Sequence, residues 1–330
     1  MAKLTLSVAT GDYDRTRPLI DGSVAIDGVT PVHMALDPEE IFFRAFRHAE
    51  FDVCELSLSS FTVKAAAGAS DYVGVPVFLS RAFRHTSITI RTDRGIRTPQ
   101  DLRGRRVGLP EYQLTACVWA RALLQEDFGV APEEITWVRG GIEQPGRPEK
   151  IAVALPPGIR VEAAPDGVSL SQLLAAGGID ALVSPRAPSC HGDGVSPVGW
   201  LFPDPMAAAQ DYFRRTRIFP IMHLLGVRRS LAEAHPWLPA ALLKAFTRAK
   251  AVAEQRLADT SATKVTLPFV EEQLAQARAL MGPDFWSYGV APNRATLDAF
   301  LHHHHAQGLS PRRLAVEELF HPATLETVKV

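Results

Sequence analysis

Strand-like and helix-like segments alternate through the first ninety residues, and this alternation restricts the fold more than any other feature of the chain. Residues 4–9 (LTLSVA) repeat with period two and run into GDYDRTR, and residues 30–36 offer a second strand. DPEEIFFRAFRHAEF then opens a helix. Asp37 stands at the N-cap, Pro38 at the first helical position and Glu40 two further on, the spacing of a capping box, with Ile41, Phe42, Ala45, Phe46 and Ala49 on one face. A third short strand, 51–56, leads into the serine-rich helix start SLSSFTVKAAA, and the apolar run 72–79 is a fourth. Strands alternating with helices predict an α/β domain with a largely parallel sheet.

A second α/β unit begins near TPQDLRGRRVGLPEYQ. Thr98 caps a short helix, 105–109 is a strand, 115–128 a long helix and 135–138 another strand. Residues 139–170, rich in Gly and Pro, read as irregular. LSQLLAAGGIDALVSPRAPS supplies a helix, a glycine turn and the buried strand 179–184, and 220–228 is a further apolar strand. Helices alone are expected after it, at 238–258, 270–281, 293–306 and 311–320. The expected division is a first lobe of residues 1–95 plus 200–330, with a helical C-terminal region packing back onto it, and a second lobe of 96–199, with a ligand cleft between them.

Composition narrows the function. Lys plus Arg total 35 against 36 Asp plus Glu, a balance that argues against a nucleic-acid surface or a polybasic membrane patch. Cys54, Cys117 and Cys190 are odd in number and lack metal-type spacing, so they read as reduced thiols. The start MAKLTLSVATGDYDR has neither the apolar core nor the small-residue cleavage site of a secretory signal, and no apolar run reaches the ~18–20 residues that span a bilayer. A cytoplasmic protein is expected. The sequence has no GxGxxG after a strand, no P-loop, no HExxH and no GxSxG, so nucleotide cofactors and serine-hydrolase chemistry lose support.

Polar residues gather where strands end, the place at which open α/β sheets bind ligands. Arg15 and Arg17 follow the first strand, Glu55 and Ser59 the third, and Arg81, Arg84 and His85 the fourth. In the second unit Tyr112, Gln113 and Arg186 hold corresponding positions. Any one such loop is ordinary, because strands end at water; five together suit an anionic small molecule, since arginine fits carboxylate bidentately. His223 closes the apolar stretch FPIMH, and a lone histidine there is more often a core residue than a catalyst. In the run His302 to His305, successive helical residues point in different directions. At most two could hold one metal ion, and a solvated helix face is the favoured reading.

GDYDRTRPLIDG, PEEIFFRAFRHAEFDVCELSLSSF, PVFLSRAFRHTSI, GIRTPQDLRGRRVGLPEYQLTA, IDALVSPRAPS, FPIMH, AHPWL and MGPDFWSYGV, taken together, resemble the 4,5-dihydroxyphthalate decarboxylase family over most of the chain. The resemblance implies a two-lobed fold like type II periplasmic binding proteins, with parallel-rich mixed sheets and a helical C-terminal region. It also implies decarboxylation of a hydroxylated aromatic dicarboxylate, 4,5-dihydroxyphthalate giving protocatechuate and CO2. Arg15, Arg17, Arg81, Arg84 and Arg186 would then be carboxylate clamps, and Ser59, Tyr112 and Gln113 further substrate contacts. His85 is the first choice for proton transfer, with His223 and Glu55 in reserve. No cofactor is expected. A divalent metal on the catechol oxygens, held by Glu55, His85 and His223, ranks below the metal-free reading because no spacing demands it. The implied partner is the small anionic aromatic substrate, without nucleic acid or membrane, and a homo-oligomer is compatible with the chain. The alternatives are a solute-binding protein of the same fold and a family decarboxylase acting on another hydroxyaromatic acid.

Overall fold

The structure, a computed structural model, describes residues 3–326. Contacts along the chain divide it into two compact units. The described part of unit 1 is 3–81, 221–298 and 314–326; unit 2 is Ala82–Pro220 and Ala299–Arg313.

Unit 1 begins with β1 (Leu4–Thr10), the short α1 (Arg17–Ile20), β2 (Val29–Ala35), α2 (Pro38–His48), β3 (Val53–Ser57), α3 (Leu58–Ala66) and β4 (Tyr72–Arg81). Unit 2 then forms β5 (Ile88–Arg91), β6 (Arg106–Leu109), α4 (Thr115–Phe128), β7 (Thr136–Arg139), β8 (Arg160–Ala163), α5 (Leu170–Ala176), β9 (Ala181–Val183), β10 (Val198–Trp200) and α6 (Pro205–Thr216). The chain returns to unit 1 with β11 (Ile221–Arg228), α7 (Arg229–Ala234), α8 (Leu238–Leu257) and α9 (Val270–Met281). The last helix, α10 (Arg294–Ala306), begins in unit 1 and ends in unit 2.

Among the described residues, the sheet of unit 1 runs in the order β2-β1-β3-β11-β4. β1 lies parallel to β2 and β3, whereas β11 is antiparallel to both neighbours. Every residue of β3 is buried, as a central strand covered on both faces requires. α2 covers it with Ile41, Phe42, Ala45 and Phe46, all buried. Asp37 caps that helix by accepting from the Glu39 N–H at 2.9 Å. The expected capping box does not close: Glu40 reaches forward to Arg44 at 2.6 Å, which places it on the exposed face of the helix, with its partner one turn on.

β4 is an edge strand, and four of its carbonyls are taken from outside the sheet. Gly74 accepts from the His321 N–H, Pro76 from the Gly289 N–H, Phe78 from the Trp286 indole and Leu79 from the Arg15 guanidinium. Pro76 is tolerated because an edge strand has no second ladder to donate to. Covering the edge in this way removes a template for pairing with other chains.

The sheet of unit 2 runs β10-β5-β9-β6-β7-β8, mixed in direction. The short strands β5 and β10 went unread in the sequence; by pairing onto β9 and each other they bring 82–95 and 200–220 into this unit. Two further readings are corrected. The stretch 139–170 contains β8, whose mostly exposed residues fit an edge strand without an apolar signal. The helix expected at 311–320 is only a single turn, Val316–Leu319, preceded by Pro311 and extended backbone at Ala315. α6, capped by Asp204, went unread as well.

Candidate active site

In unit 1 the centre of the sheet holds a buried carboxylate. Glu55, fully buried in β3, would carry a large desolvation cost without partners. It has three. Its Oε2 accepts from the Gly11 N–H at 2.9 Å, and its Oε1 meets the Tyr13 hydroxyl at 2.8 Å and His223 Nδ1 at 2.6 Å. Burial pushes the Glu55 carboxyl up, but His223, the Gly11 N–H and Tyr13 outweigh it and hold the group below the ordinary carboxylate range. The same burial, with the charge on Glu55, pushes the Tyr13 phenol far up, so it remains a donor. Because a carboxylate only accepts, Nδ1 of His223 carries hydrogen and Nε2 is left as the exchanging nitrogen.

Local structure sets these groups in place. His223 sits on β11 between two register irregularities in its pairing with β4, the kind of bulge that re-aims a side chain. The Phe42 ring packs edge-on against the imidazole, 4.8 Å between centroids. Gly11 is required by a close approach: a Cβ there would lie 2.3 Å from the Tyr13 ring, which folds back over the backbone to reach Glu55.

The arginines expected as clamps in this unit all make contacts within it. Arg15 is bonded to the Leu79 carbonyl and stacks on Tyr13 and Trp286, 4.1 and 4.5 Å from their ring centres. Arg17 is exposed and paired with Asp12. Arg81, still inside β4, donates to the Ser287 carbonyl at 2.6 Å and to the Asn293 side chain, while burial pulls its pKa down to about 10. Ser59 lies in the first turn of α3, fully buried.

In unit 2, His85 is buried beside Phe202 and Tyr212, its Nδ1 without a hydrogen-bond partner. Burial lowers it to about 4, so it is neutral near pH 7. Arg84 is buried too, donates to Ser87 Oγ at 3.3 Å and leaves Nε unpartnered. Burial pulls it down to about 10, still charged at neutral pH. Its charge bears on Cys117 in the first turn of α4, a helix start with no side-chain cap. A buried guanidinium lacking a carboxylate partner among the described residues, close to a helix N-terminus, is suited to an anion.

Tyr112 and Gln113 precede α4. Tyr112 is buried with Arg121 3.7 Å above its ring, and its hydroxyl has no partner. Gln113 donates to Glu111 and to the Ile151 carbonyl, 2.9 Å each. Sequence reading missed the cluster around Glu111: this fully buried carboxylate is held by Lys150 and Arg147, both at 2.7 Å. Lys150 and Arg147 come from the stretch read as irregular, where nothing in the residue pattern signals the pairing. Arg186 is exposed and, with Arg147, lines a cavity of about 300 Å³. Glu55 and His223 thus lie in unit 1 and His85 in unit 2. The His, Cys, Asp or Glu group whose ligand atoms converge among the described residues is a different one, Glu126, His302 and His303.

No family model matches the chain. It is similar to 4,5-dihydroxyphthalate decarboxylase of Comamonas testosteroni, with 61% identity over 330 residues covering all of both chains. It is also similar to the protein of that name from Pseudomonas putida, with 59% identity over 214 residues, 65% of this chain and 83% of that one. Among solved structures, the alkanesulfonate-binding protein of Xanthomonas axonopodis pv. citri bound to MOPS matches with a TM-score of 0.51 and 13% identity over 98% of each chain. The periplasmic aliphatic sulphonate binding protein of Escherichia coli matches with a TM-score of 0.50 and 14% identity, over 100% of this chain and 96% of that one. At such identity the likeness is one of fold: α/β with two mixed sheets, in the periplasmic-binding-protein manner expected from the sequence.

Proposed function

This chain belongs to the 4,5-dihydroxyphthalate decarboxylase family and is a carboxy-lyase; from that premise we propose that it converts 4,5-dihydroxyphthalate to protocatechuate and CO2, with His223 handling the proton. The observation that carries the assignment of roles is the Glu55–His223 pair. A ring carboxylate leaves once the carbon bearing it is protonated, because the electrons of the breaking C–C bond then restore the aromatic ring. The hydroxyl para to that carbon donates electrons and eases protonation. The imidazolium of His223 gives its Nε2 proton to the ring carbon, the carboxylate departs as CO2, and a solvent proton returns to Nε2. One proton is consumed, and the dianion becomes a monoanion. Glu55 fixes the tautomer and stabilises the imidazolium, while Tyr13 and the Gly11 N–H keep Glu55 charged and oriented.

His223 replaces His85 as the first choice. A general acid works best with a pKa near the working pH, and burial leaves His85 far below it. Arg84 is the favoured carboxylate contact, because its buried charge lacks a carboxylate partner; Arg15, Arg17 and Arg81 serve the fold. Three buried free thiols fit a reducing compartment, in keeping with the cytoplasm.

The test is incubation of purified protein with 4,5-dihydroxyphthalate in deuterated water, with and without chelator. Expected are CO2 and protocatechuate with deuterium at the carbon that lost the carboxylate. Tight binding without CO2 would favour a solute binder, as the sulfonate-binding fold relatives are. Turnover abolished by chelator would favour the metal-bridged version.

A further inference from the structure

The four consecutive histidines near the C-terminus are not one feature. His304 and His305 turn toward the following loop, with Nδ1 atoms 3.1 Å from Ser310 Oγ and 2.9 Å from the Ser310 carbonyl. His302 and His303 turn the other way, toward Glu126 in the last turns of α4. One ligand atom from each of Glu126, His302 and His303 lies within 4.8 Å of the others. His303 is buried; Glu126 and His302 are exposed, which leaves the site open to solvent on one side.

From this convergence we propose that Glu126, His302 and His303 form a binding site for a divalent transition-metal ion, Zn2+ by preference, which fastens α10 to α4 within unit 2. Two imidazoles and a carboxylate are the donor set that zinc takes with a water in the fourth position. Zn–N bonds of about 2.0–2.1 Å in a tetrahedron put donor atoms about 3.3 Å apart, so closure needs small side-chain rotations only. The frame is already rigid. Trp119 packs on Phe300 with ring centres 5.5 Å apart, and Gln307 accepts from Arg121 at 2.9 Å and donates to the Val118 carbonyl at 3.1 Å. Hard cations such as Mg2+ or Ca2+ prefer all-oxygen shells and are a poor match for two imidazoles. None of the three residues belongs to the proposed proton relay.

The experiment is a Zn2+ titration of metal-stripped full-length protein, in competition with a chromophoric chelator, alongside the variants Glu126→Gln, His302→Ala and the two combined. Both residues are exposed, so the variants should fold, which circular dichroism verifies. Expected is one Zn2+ per wild-type chain, with affinity reduced by about tenfold or more in each single variant and stoichiometric binding lost in the double variant. At a hundredfold excess over Kd, Zn2+ should raise the wild-type melting midpoint by about 4 °C and leave the double variant unmoved. Equal Zn2+ binding by wild type and the double variant, or no binding by wild type, overturns the proposal.

Discussion

Replacing Glu55 by Gln tests the relay at its buried end. The carboxylate accepts from three donors, the Gly11 N–H, the Tyr13 hydroxyl and His223 Nδ1. A glutamine amide of the same size has one accepting oxygen. If that oxygen keeps His223 and Tyr13, the amide NH2 faces the Gly11 N–H; if it keeps Gly11, the NH2 faces the other two. Either way a buried donor is left unpaired, at about 1–3 kcal/mol. The amide also removes the charge that stabilises the imidazolium. A hydrogen bond to a charged group contributes about 1.5–3 kcal/mol, so kcat should fall about 10- to 150-fold. Stability should fall as well, by about 1.5 °C in Tm per kcal/mol for a chain of this length. The sign with pH follows from Glu55 being held below the ordinary carboxylate range in the fold. The stability it contributes is fully present above the unfolded value of about 4.3 and is lost as pH falls through the lower folded value. The gap in Tm between wild type and Glu55→Gln is therefore complete at pH 7 and narrows below about pH 4. CO2 release and thermal melts across pH provide the readouts. Wild-type kcat and wild-type Tm at pH 7 in this variant would show that Glu55 neither orients nor charges the relay.

Three other outcomes are expected. Arg84→Gln should raise KM about tenfold or more while leaving kcat within a few-fold, as steady-state kinetics will show, because a guanidinium that holds a carboxylate in ground and transition states alike acts mainly on binding. Gly11→Ala should push the Tyr13 ring off Glu55 and lower kcat, an effect that Tyr13→Phe should largely reproduce. Arg81→Met should lower Tm by a few degrees with little change in KM, since it removes the charge-assisted hydrogen bonds to the Ser287 carbonyl and the Asn293 side chain, at about 1.5–3 kcal/mol for a hydrogen bond to a charged group; a raised KM with unchanged Tm would return Arg81 to substrate binding.

Period and punctuation carried the fold far. The alternation through residues 4–79, the Asp37 cap and the span Thr115–Phe128 are found as read, because they rest on local chemistry. Short strands with few residues to show a period, such as Val198–Trp200, left no local trace and became strands only through their partners. For the candidate site, the sequence offered residue types at strand ends but not their arrangement. Strand ends do carry the polar residues, yet which arginine is engaged by the fold depends on contacts such as Arg81 with Ser287, 206 residues away. The sequence around His223 alone points to a core histidine, because its partner stands 168 residues earlier on another strand. SRAFRH divides between two roles: Arg81 completes the edge strand, and Arg84 and His85 follow in unit 2.

His223, oriented by Glu55, is proposed to move the proton that replaces CO2. The most direct measurement compares single-turnover rates of His223→Asn and His85→Asn on 4,5-dihydroxyphthalate, with substrate binding measured in parallel. His223→Asn should still bind substrate but lose turnover by about a hundredfold or more, while His85→Asn should stay within a few-fold of wild type. Wild-type turnover in His223→Asn, with loss confined to His85→Asn, would contradict it.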